Sequence, residues 1–571
     1  MLTTLTAPAF AGTWYIEDGD ITISAGESGN NVTQNENTTE NDPDTIITNR
    51  EEGASSHTVT IDAKDKDDKV EVTLKDVNID TSKQSKAAVS VTGKGDTTIE
   101  LDGDNELQGG DKHAGLEHNQ TVDSEGNVTS GKLTIQDDND NAGSLTATGG
   151  YFGAGIGGGS AKAGQVTITG GTITAISGDG AGIGGGQGNM GSNAGNADIE
   201  ISGGTIEATG GYTSAGIGGG YYGDATIKIT GDAVIKNAAG GFFGAGIGGG
   251  GGGNGDITIS GNAKIENAQG GYAGSGIGGG YGASGTVAIK DDSTVTATGG
   301  EVGAGIGGGV GGLADITIEG NATVNATGGV GSAGIGGGAD AENDEDDGNG
   351  NQISIKSNES GAPTVNATGG VSDVDNAGET IPGGAGIGSG VGDATAEITI
   401  EGKVTIVAKA GESNAAIGDM NGEQVFTGLD GSITRYDSEG NDTTLPTDPG
   451  YPVPADTSSS GGGSAGASVQ ESVFPGLIVT DKDGQRISYT SIRGNNVLSL
   501  RVGRFTASLH ASLSTLRQLR AEGIDTITFQ TILCSTTLSV DELLAMGGED
   551  TEVVLTHHIR SSMLTVGGKA V

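Results

Sequence analysis

The chain has 571 residues, of which 114 are glycine and 9 are proline, and its formal net charge is −46. The low proline content and the lack of a Gly-X-Y period exclude collagen, while isoleucine and valine at fixed offsets argue against disorder. Helices are disfavoured because each glycine costs a helix about 1 kcal/mol relative to alanine. The negative charge repels nucleic acid. The composition therefore indicates a repetitive β architecture.

The N-terminus is predicted to retain the end of a signal peptide. Ala-Phe-Ala at residues 9–11 has the small-x-small pattern of a cleavage site, so residues 1–11 are interpreted as the remnant of a truncated signal peptide. Residues 12–54 are predicted to form an N-terminal cap. We therefore expect an extracellular bacterial protein, secreted or displayed on the cell surface. No later apolar stretch has the length of a transmembrane segment.

Between residues 55 and 436 the sequence repeats with a period of about 30 residues. Within one unit, Ile199 and Ile201 alternate with Glu200 as on a half-buried strand. Short strands separated by glycine turns predict an all-β fold, a three-faced parallel β-helix of about 11–12 coils. Seven of the units contain the string Ala-Gly-Ile-Gly-Gly-Gly, with serine in place of the alanine in the fifth, and its isoleucine lies at positions 156, 183, 217, 247, 277, 306 and 335.

The sequence changes in character after the repeats. Residues 437–472 are rich in proline, glycine and serine and are predicted to be a linker. Residues 473–571 contain less glycine and carry an internal repeat of 25 residues, which relates Leu513 to Leu538. We predict a small α+β domain in this segment, built from two similar helix–strand units.

Two patterns in the C-terminal segment predict helices. Ser539 and Glu542 have the spacing of a capping box, which places the start of a short helix there. Leu509, Leu513 and Leu516 have helical spacing and predict a second helix.

Aromatic residues make up only 3% of the chain, yet several lie beside the glycine string. On the third face of the predicted β-helix, alanine and isoleucine are expected to point inward and glycine outward. Such a face is nearly bare backbone, which suits tight turns, close packing or a flat ligand. Rings beside it can stack on sugars. The predicted carbohydrate-binding residues are Tyr151, Phe152, Tyr212, Tyr221, Tyr222, Phe242, Phe243, Tyr272 and Tyr281.

Two acidic loops are candidate calcium sites, because hard cations take several oxygen ligands from such loops. One spans residues 340–347 and the other residues 137–141. Neither has the complete EF-hand pattern, so a solvated acidic loop is the alternative interpretation. The predicted ligands are Asp340, Glu342, Asp344, Asp346, Asp137 and Asp140, and no other cofactor is expected.

Enzymatic chemistry receives little support from the sequence. The string from Gly153 to Gly158 matches the dinucleotide fingerprint G-x-G-x-x-G, but no helix-forming run follows it or its later copies. Residues 150–335 contain no histidine or arginine, which leaves few groups for acid–base catalysis. No catalytic residue is predicted, and we expect the chain not to be an enzyme.

One part of the chain resembles a known family, the carbohydrate-binding β-helix domains of secreted and cell-surface proteins from gram-positive anaerobes. The match is good over about residues 55–150 and concerns pattern alone over residues 150–430, while the C-terminal domain resembles no family we recognise. The resemblance implies binding of acidic plant polysaccharides and calcium on the helix. It depends on Val70–Asp80, Ala87–Val91, Thr97–Leu101 and Asn105–Leu107.

The sequence therefore favours an extracellular, non-catalytic carbohydrate-binding protein with calcium assistance, whose partner is a polysaccharide or surface glycan. Nucleic acid is not an expected partner, and the partner of the C-terminal domain is unknown. A structural adhesin or stalk without a sugar site is the first alternative, and a polysaccharide lyase or hydrolase is the second. Aromatic rings aligned along one edge favour sugar binding, whereas scattered rings favour a stalk.

Overall fold

The computed structural model divides into two compact units. The first contains residues 1–438 and 444–451, and the second contains residues 439–443 and 452–571. The predicted signal-peptide remnant lies outside the described residues. Those are 12–139, 141–188, 195–343, 350–374, 380–392, 394–420, 422–426, 429–445, 447–450, 477–480, 486–487, 489–494, 496–502, 506–531, 535–548, 551–558 and 561–570.

The first unit is a parallel β-helix with three faces. Each coil contributes one strand to each face, and each strand pairs in parallel with its equivalent in the next coil. The first face contains Thr13–Tyr15, Thr45–Thr48, Lys69–Lys75, the start of Asp96–Gln108, Leu133–Gln136, Gly164–Ile168, Ala197–Ile201, Ala225–Ile229, Gly255–Ile259, Gly285–Ile289, Ala314–Glu319, Asn351–Lys356 and Ala396–Glu401.

The second face begins with Asn78–Asp80 and receives the end of Asp96–Gln108, which crosses over from the first face. Its other strands are Gly143–Thr148, Thr172–Ile176, Thr205–Thr209, Val234–Ala239, Lys264–Gln269, Thr294–Thr298, Thr323–Thr327, Thr364–Thr368, Lys403–Lys409 and Asp430–Tyr436. An insertion between two coils adds the antiparallel pair Asp373–Val374 and Thr380–Ile381.

The third face carries the glycine string, and most of its strands have only two residues. They are Ile21–Ala25, Val59–Ala63, Val89–Gly93, Leu116–His118, Ile156–Gly157, Ile183–Gly184, Ile217–Gly218, Ile247–Gly248, Ile277–Gly278, Ile306–Gly307, Ile335–Gly336, Ile387–Gly388 and Ile417–Asp419.

Isoleucine, valine and alanine from the three faces form one continuous core along the solenoid. Ile199 and Ile201 are buried while Glu200 between them is exposed, as their alternation predicts. The isoleucines of successive coils lie in register, with Ile217 opposite Ile247. These observations confirm the predicted all-β, parallel β-helical fold.

The solenoid is longer than the about 11–12 coils predicted from the repeat. Within the described residues, the third face alone has thirteen parallel strands. The additional coils lie at the N-terminal end, where Thr13–Tyr15, Ile21–Ala25 and Thr45–Thr48 join the ladders. The repeat did not reveal them because their third-face strands alternate in the ordinary way and lack the glycine string.

The remainder of the segment 12–54 covers the N-terminal end of the solenoid. Asn30–Gln34 and Asn37–Asp42 pair in antiparallel fashion beside the first third-face strand, and Ile16–Asp18 forms a short 3-10 helix. Asp42 accepts hydrogen bonds from the Gly12 N–H at 2.8 Å and from the Trp14 indole at 2.9 Å. A covered end is protected against pairing with strands of another chain.

Glycines of the third face pack against the backbone of the neighbouring coil. The glycine that follows the isoleucine has a positive φ in each described copy of the string, for example +139° at Gly248 and +134° at Gly278. A Cβ atom on Gly248 would lie 1.9 Å from the carbonyl oxygen of Gly278. These glycines are buried, which excludes the alternative of a bare face open to a flat ligand. Close packing of the coils therefore explains them.

A ladder of side-chain oxygens connects five coils between the third and first faces. Asn196 Oδ1 accepts from the Asp224 N–H at 3.0 Å, and Asp224 Oδ1 accepts from the Asn254 N–H at 2.7 Å. Asn254 Oδ1 then accepts from the Ser284 N–H at 2.9 Å, and Ser284 Oγ accepts from the Leu313 N–H at 3.0 Å. Each coil thereby satisfies a backbone donor of the next coil.

Arg435 and Asp448 hold the C-terminal end of the solenoid together. Both side chains are fully buried, and the guanidinium donates to the carboxylate from Nε at 2.7 Å and from Nη2 at 3.0 Å. The guanidinium also donates to the Gln424 carbonyl at 2.8 Å and pairs with Glu423. Glu423 belongs to the strand Gly422–Glu423, which pairs in antiparallel fashion with the last third-face strand. Asp448 lies within the predicted linker, so this part of the segment packs on the solenoid.

The second unit contains two sheets and two helices within the described residues, which agrees with the predicted α+β class. The helices are Leu513–Ala521 and Val540–Leu544. One sheet has the order Leu477–Thr480, Ala507–Ser512, Glu552–His558, Ser561–Val566, Lys569–Ala570, and the other has the order Thr490–Gly494, Val497–Arg501, Thr526–Gln530, Ser535–Ser539.

The predicted helix start at Ser539 is confirmed, because the Ser539 hydroxyl accepts from the Glu542 N–H at 3.4 Å. Ser512 caps the first helix in the same way. The prediction that Leu509 is helical is wrong. It lies in the strand Ala507–Ser512, where it alternates with half-buried neighbours and belongs to the core of the second unit.

We expect Gly248→Ala to destabilise the solenoid by roughly 2–6 kcal/mol, because the new Cβ atom adds overpacking to a backbone conformation that L residues avoid. The clash is with backbone, which cannot move without shifting a whole coil. The measurement is the midpoint of urea unfolding of the first unit, monitored by circular dichroism.

Gly282→Ala is the matched control. Gly282 also has a positive φ, +69°, but no atom lies within 4 Å of the position of its Cβ. The equivalent position two coils earlier is occupied by Tyr222 at φ +55°. We expect Gly282→Ala to lower the free energy of unfolding by at most about 1–2 kcal/mol. Equal urea midpoints for Gly248→Ala and Gly282→Ala would contradict the close-packing explanation.

Arg435→Met should lower the free energy of unfolding by about 3–5 kcal/mol, because it leaves the Asp448 carboxylate buried without its partner. Arg50→Met is the comparison, since the Arg50–Asp18 pair is about half exposed, at 50% and 46%, and an exposed ion pair contributes little to stability. Thermal unfolding of both variants measures the difference. Similar losses in the two variants would show that Arg435 does not hold the C-terminal end.

Candidate functional site

Five of the predicted aromatic residues form one connected cluster, which we call the aromatic edge. Its rings come from three successive coils, those of Ile217, Ile247 and Ile277. In sequence, four of the rings follow the Gly-Gly pair that precedes the string, and the fifth follows the string itself. Because the coils are in register, all five rings lie at the same edge of the solenoid. The aromatic edge consists of Tyr212, Phe242, Phe243, Tyr272 and Tyr281.

Three rings of the aromatic edge form a column along the solenoid. Tyr212 stacks on Phe242 with ring centroids 5.3 Å apart and planes at 15°, and Phe242 stacks on Tyr272 at 4.6 Å and 6°. The inner ring faces therefore cover one another. Tyr212 and Tyr272 nevertheless remain 58% and 42% exposed, so part of each side chain is accessible to a ligand.

Glycines make room for the rings on the other side of the aromatic edge. Phe243 contacts Tyr281 at 5.3 Å between ring centroids. A Cβ atom on Gly251 would lie 2.7 Å from Phe243 Cβ and 3.5 Å from Tyr221 Cδ2. Tyr221 in turn contacts Tyr222, with ring centroids 4.2 Å apart and hydroxyl oxygens 3.2 Å apart. The tyrosine pair thus lies beside the aromatic edge.

Tyr151 and Phe152 are separate from the aromatic edge and contact each other edge to face at 4.7 Å. The intervening coil carries Asp179, which is buried, and burial raises the pKa of this carboxyl group. Hydrogen bonds from Thr213 and Gln187 act in the opposite direction. The sequence left open whether the nine aromatic residues align or scatter, and the structure separates Tyr151 and Phe152 from the others at the coil that carries Asp179.

The structure leaves the calcium prediction untested. Asp340 and Glu342 are exposed, whereas their predicted partners Asp344 and Asp346 lie outside the described residues, as does Asp140. Asp137 Oδ2 accepts from the Gly143 N–H at 3.2 Å, and Asp137 Oδ1 is buried without a hydrogen-bond partner. Within the described ranges, no group of three or more histidine, cysteine, aspartate or glutamate side chains is placed to hold a metal ion.

Glu117 occupies a third-face position that is glycine in the next coil, and sequence reasoning missed it. It pairs in register with Gly157. Its buried carboxylate accepts hydrogen bonds from His113 Nδ1 at 2.8 Å, from Asn119 Nδ2 at 3.0 Å and from the Ala114 N–H at 3.2 Å. In the coil that precedes the glycine-rich coils, these hydrogen bonds take the place of the close contacts that glycine makes with neighbouring backbone in the later coils.

Sequence reasoning also missed a groove on the first face, with a volume of about 490 Å³. We call it the lysine groove, because Lys66, Lys94, Lys132 and Lys228 line it. These residues are far apart in sequence and have no common motif. They meet because outward positions of successive coils are aligned, as Glu200 and Lys228 are.

Comparison with family models matches the β-helix repeat to five segments of the solenoid, residues 141–160, 166–187, 199–221, 287–310 and 316–339. A comparison with curated proteins and one with solved structures give no significant match. In the described part of the chain, no helix has the length and apolar character needed to cross a membrane. The matched repeats and the parallel ladders together show that the chain contains a β-helix domain, the part of the predicted resemblance that is confirmed.

Proposed function

We propose that the chain is an extracellular, non-catalytic carbohydrate-binding β-helix protein. The supporting observation is the aromatic edge, in which five rings from three coils are in contact although aromatics make up 3% of the chain. A sugar ring presents an apolar face of C–H groups that stacks on an aromatic ring, and its hydroxyls hydrogen-bond to polar groups nearby.

The rings best placed for a ligand are those with the largest exposed fractions. Tyr151 is 62% exposed, Tyr212 is 58% exposed and Tyr281 is 50% exposed. Exposed tyrosines combine a stacking surface with a hydroxyl that donates and accepts hydrogen bonds. We infer that these three tyrosines contact the glycan, while Phe242 and Phe243 hold the rings of the aromatic edge in place.

A structural stalk is the second candidate function, and the stacking of the column favours it. The rings of Tyr212, Phe242 and Tyr272 direct their faces at one another, so the column also stabilises the contact between coils. In that case the exposed tyrosines bind no sugar, and the solenoid holds other modules away from the cell surface.

The triple variant Tyr151→Ala, Tyr212→Ala, Tyr281→Ala tests the proposal on a glycan array. We expect the wild-type chain to bind at least one glycan class, and the variant to lose about tenfold in affinity for each ring that contacts the ligand. Isothermal titration with the best glycan measures the loss.

Tyr15→Ala is the control, because Tyr15 lies at the N-terminal end of the solenoid, where Arg50 covers its ring at 4.0 Å. This variant should bind like the wild type. Absence of binding to every glycan, with and without calcium, would exclude the carbohydrate proposal and leave the stalk.

Calcium remains a prediction and has its own test. If the acidic loops hold calcium, the ion binds the folded chain alone and therefore raises its melting temperature. We expect a chelator to lower the melting temperature and added calcium to restore it. An unchanged melting temperature would remove calcium from the proposal.

A further inference from the structure

The column of rings in the aromatic edge is continued by a carboxylate. The same backbone hydrogen bond recurs between its turns: the N–H of the residue after Phe242 donates to the Tyr212 carbonyl at 3.3 Å, and the N–H of the residue after Tyr272 donates to the Phe242 carbonyl at 3.0 Å. One coil further on, the N–H of the residue after Glu301 donates to the Tyr272 carbonyl at 3.0 Å. Glu301 therefore occupies in its coil the place that a ring occupies in the coils before it.

Glu301 and Tyr272 are both accessible to a ligand. Glu301 is exposed, and its carboxylate forms no ion pair or hydrogen bond with the described residues. Tyr272 is 42% exposed, and among the described residues its ring contacts only the ring of Phe242. Successive coils are separated by roughly 4.8 Å, the spacing of neighbouring strands. A tyrosine ring and an unpaired carboxylate thus adjoin at this end of the column.

The carboxyl group at the other end of the column is already engaged. Asp179 lies in the coil before Tyr212, is buried, and accepts hydrogen bonds from the Thr213 hydroxyl at 3.4 Å and from the Gln187 amide. Burial raises the pKa of the Asp179 carboxyl group, which favours its neutral form. Of the two carboxyl groups that flank the column, only that of Glu301 is open to a ligand.

Basic residues are absent from the turns that carry the aromatic edge. Between residues 163 and 355 the chain has four lysines, no arginine and no histidine. Lys228, Lys236 and Lys264 lie on first-face and second-face strands, and Lys290 directly follows a first-face strand. Lys264 and Lys290 are also paired with glutamates. In a chain of net charge −46, this distribution leaves a negative potential at the aromatic edge, which attracts a cation and repels an anion.

An ammonium group suits this combination of a tyrosine ring and a carboxylate. The face of an aromatic ring is negative, and it attracts a cation within about 6 Å of the ring centre. A carboxylate accepts short, charge-assisted hydrogen bonds from an ammonium group. The apolar face of a sugar stacks on the same kind of ring. A sugar with a free amino group therefore satisfies both the ring and Glu301, whereas a neutral sugar leaves the carboxylate unused.

We propose that the aromatic edge recognises an amino sugar, as a unit of a polysaccharide whose amino groups are free and protonated. This inference rests on the proposed carbohydrate function and names the class of its ligand. The sugar ring stacks on an exposed tyrosine, and the ammonium group is held by the Tyr272 ring and the Glu301 carboxylate. Acetylation of the amine removes the charge and therefore the basis of recognition. No calcium is needed, because the ligand itself supplies the positive charge.

The test uses three β-1,4-linked oligosaccharides of equal length, built from glucosamine, N-acetylglucosamine or glucose, which differ only in the group at C2. Each is titrated calorimetrically into the full chain, with a chelator present and at a pH at which the free amine is protonated. We expect the glucosamine oligomer to bind about tenfold more tightly than the other two, since the ring and the carboxylate each contribute a few-fold. Higher salt should reduce this preference.

Glu301→Gln should reduce the preference for the glucosamine oligomer to about threefold, because only the contact with the ring then distinguishes the amine. Glu207→Gln is the matched control. Glu207 is an exposed carboxylate on the second-face strand Thr205–Thr209, without an ion pair among the described residues, so this variant loses the same charge elsewhere and should keep the full preference.

The inference is overturned if the three oligosaccharides bind equally, if none of them binds, or if Glu301→Gln keeps the full preference. It is also overturned if the two glutamate variants reduce the preference equally, which would indicate attraction by the net charge alone. In each of these cases, binding of another glycan on the array would leave the carbohydrate proposal intact, whereas an array without any binding would remove both.

Discussion

The close approach of glycine backbones between successive coils is the constraint on which the first unit depends. A Cβ atom at Gly218 or Gly248 would lie 1.9 Å from a carbonyl oxygen of the next coil. The same column of positive φ values continues from Gly157 to Gly418. Because most third-face strands have only two residues, the chain turns sharply there, and the turn can be stacked at strand spacing only without side chains. The core isoleucines are aligned as a consequence.

This constraint also determines where functional groups can lie. The third face is closed by its own backbone, so side chains that meet a ligand must project from the turns beside it or from the other two faces. The aromatic edge uses the turns, where Gly251 leaves space for Phe243. The lysine groove uses the outward positions of the first face, where strands of ordinary length place Glu200 beside Lys228. One backbone arrangement thus presents two chemically different surfaces.

The period and the alternation of isoleucine were sufficient to predict the three faces and the inward residues, because in a solenoid each coil repeats the environment of the last. Three features could not be obtained in this way. Whether a glycine is exposed depends on the distance between coils, which the sequence does not contain, so the sequence left open whether Gly248 packs against the next coil or faces a ligand. The first coils were not recognised because they lack the string. Lys94 and Lys228 share no motif, and only the register brings them to one groove.

Hydrogen exchange of the full chain, followed by mass spectrometry, tests the central claim most directly. If the third-face glycines are packed against the neighbouring coils, their amides between residues 150 and 340 should exchange as slowly as those of the flanking first-face and second-face strands, because many of them donate to carbonyls of the preceding or the next coil. Rapid exchange of the glycine strings, with slow exchange of the strands on either side, would show an open face and contradict this description.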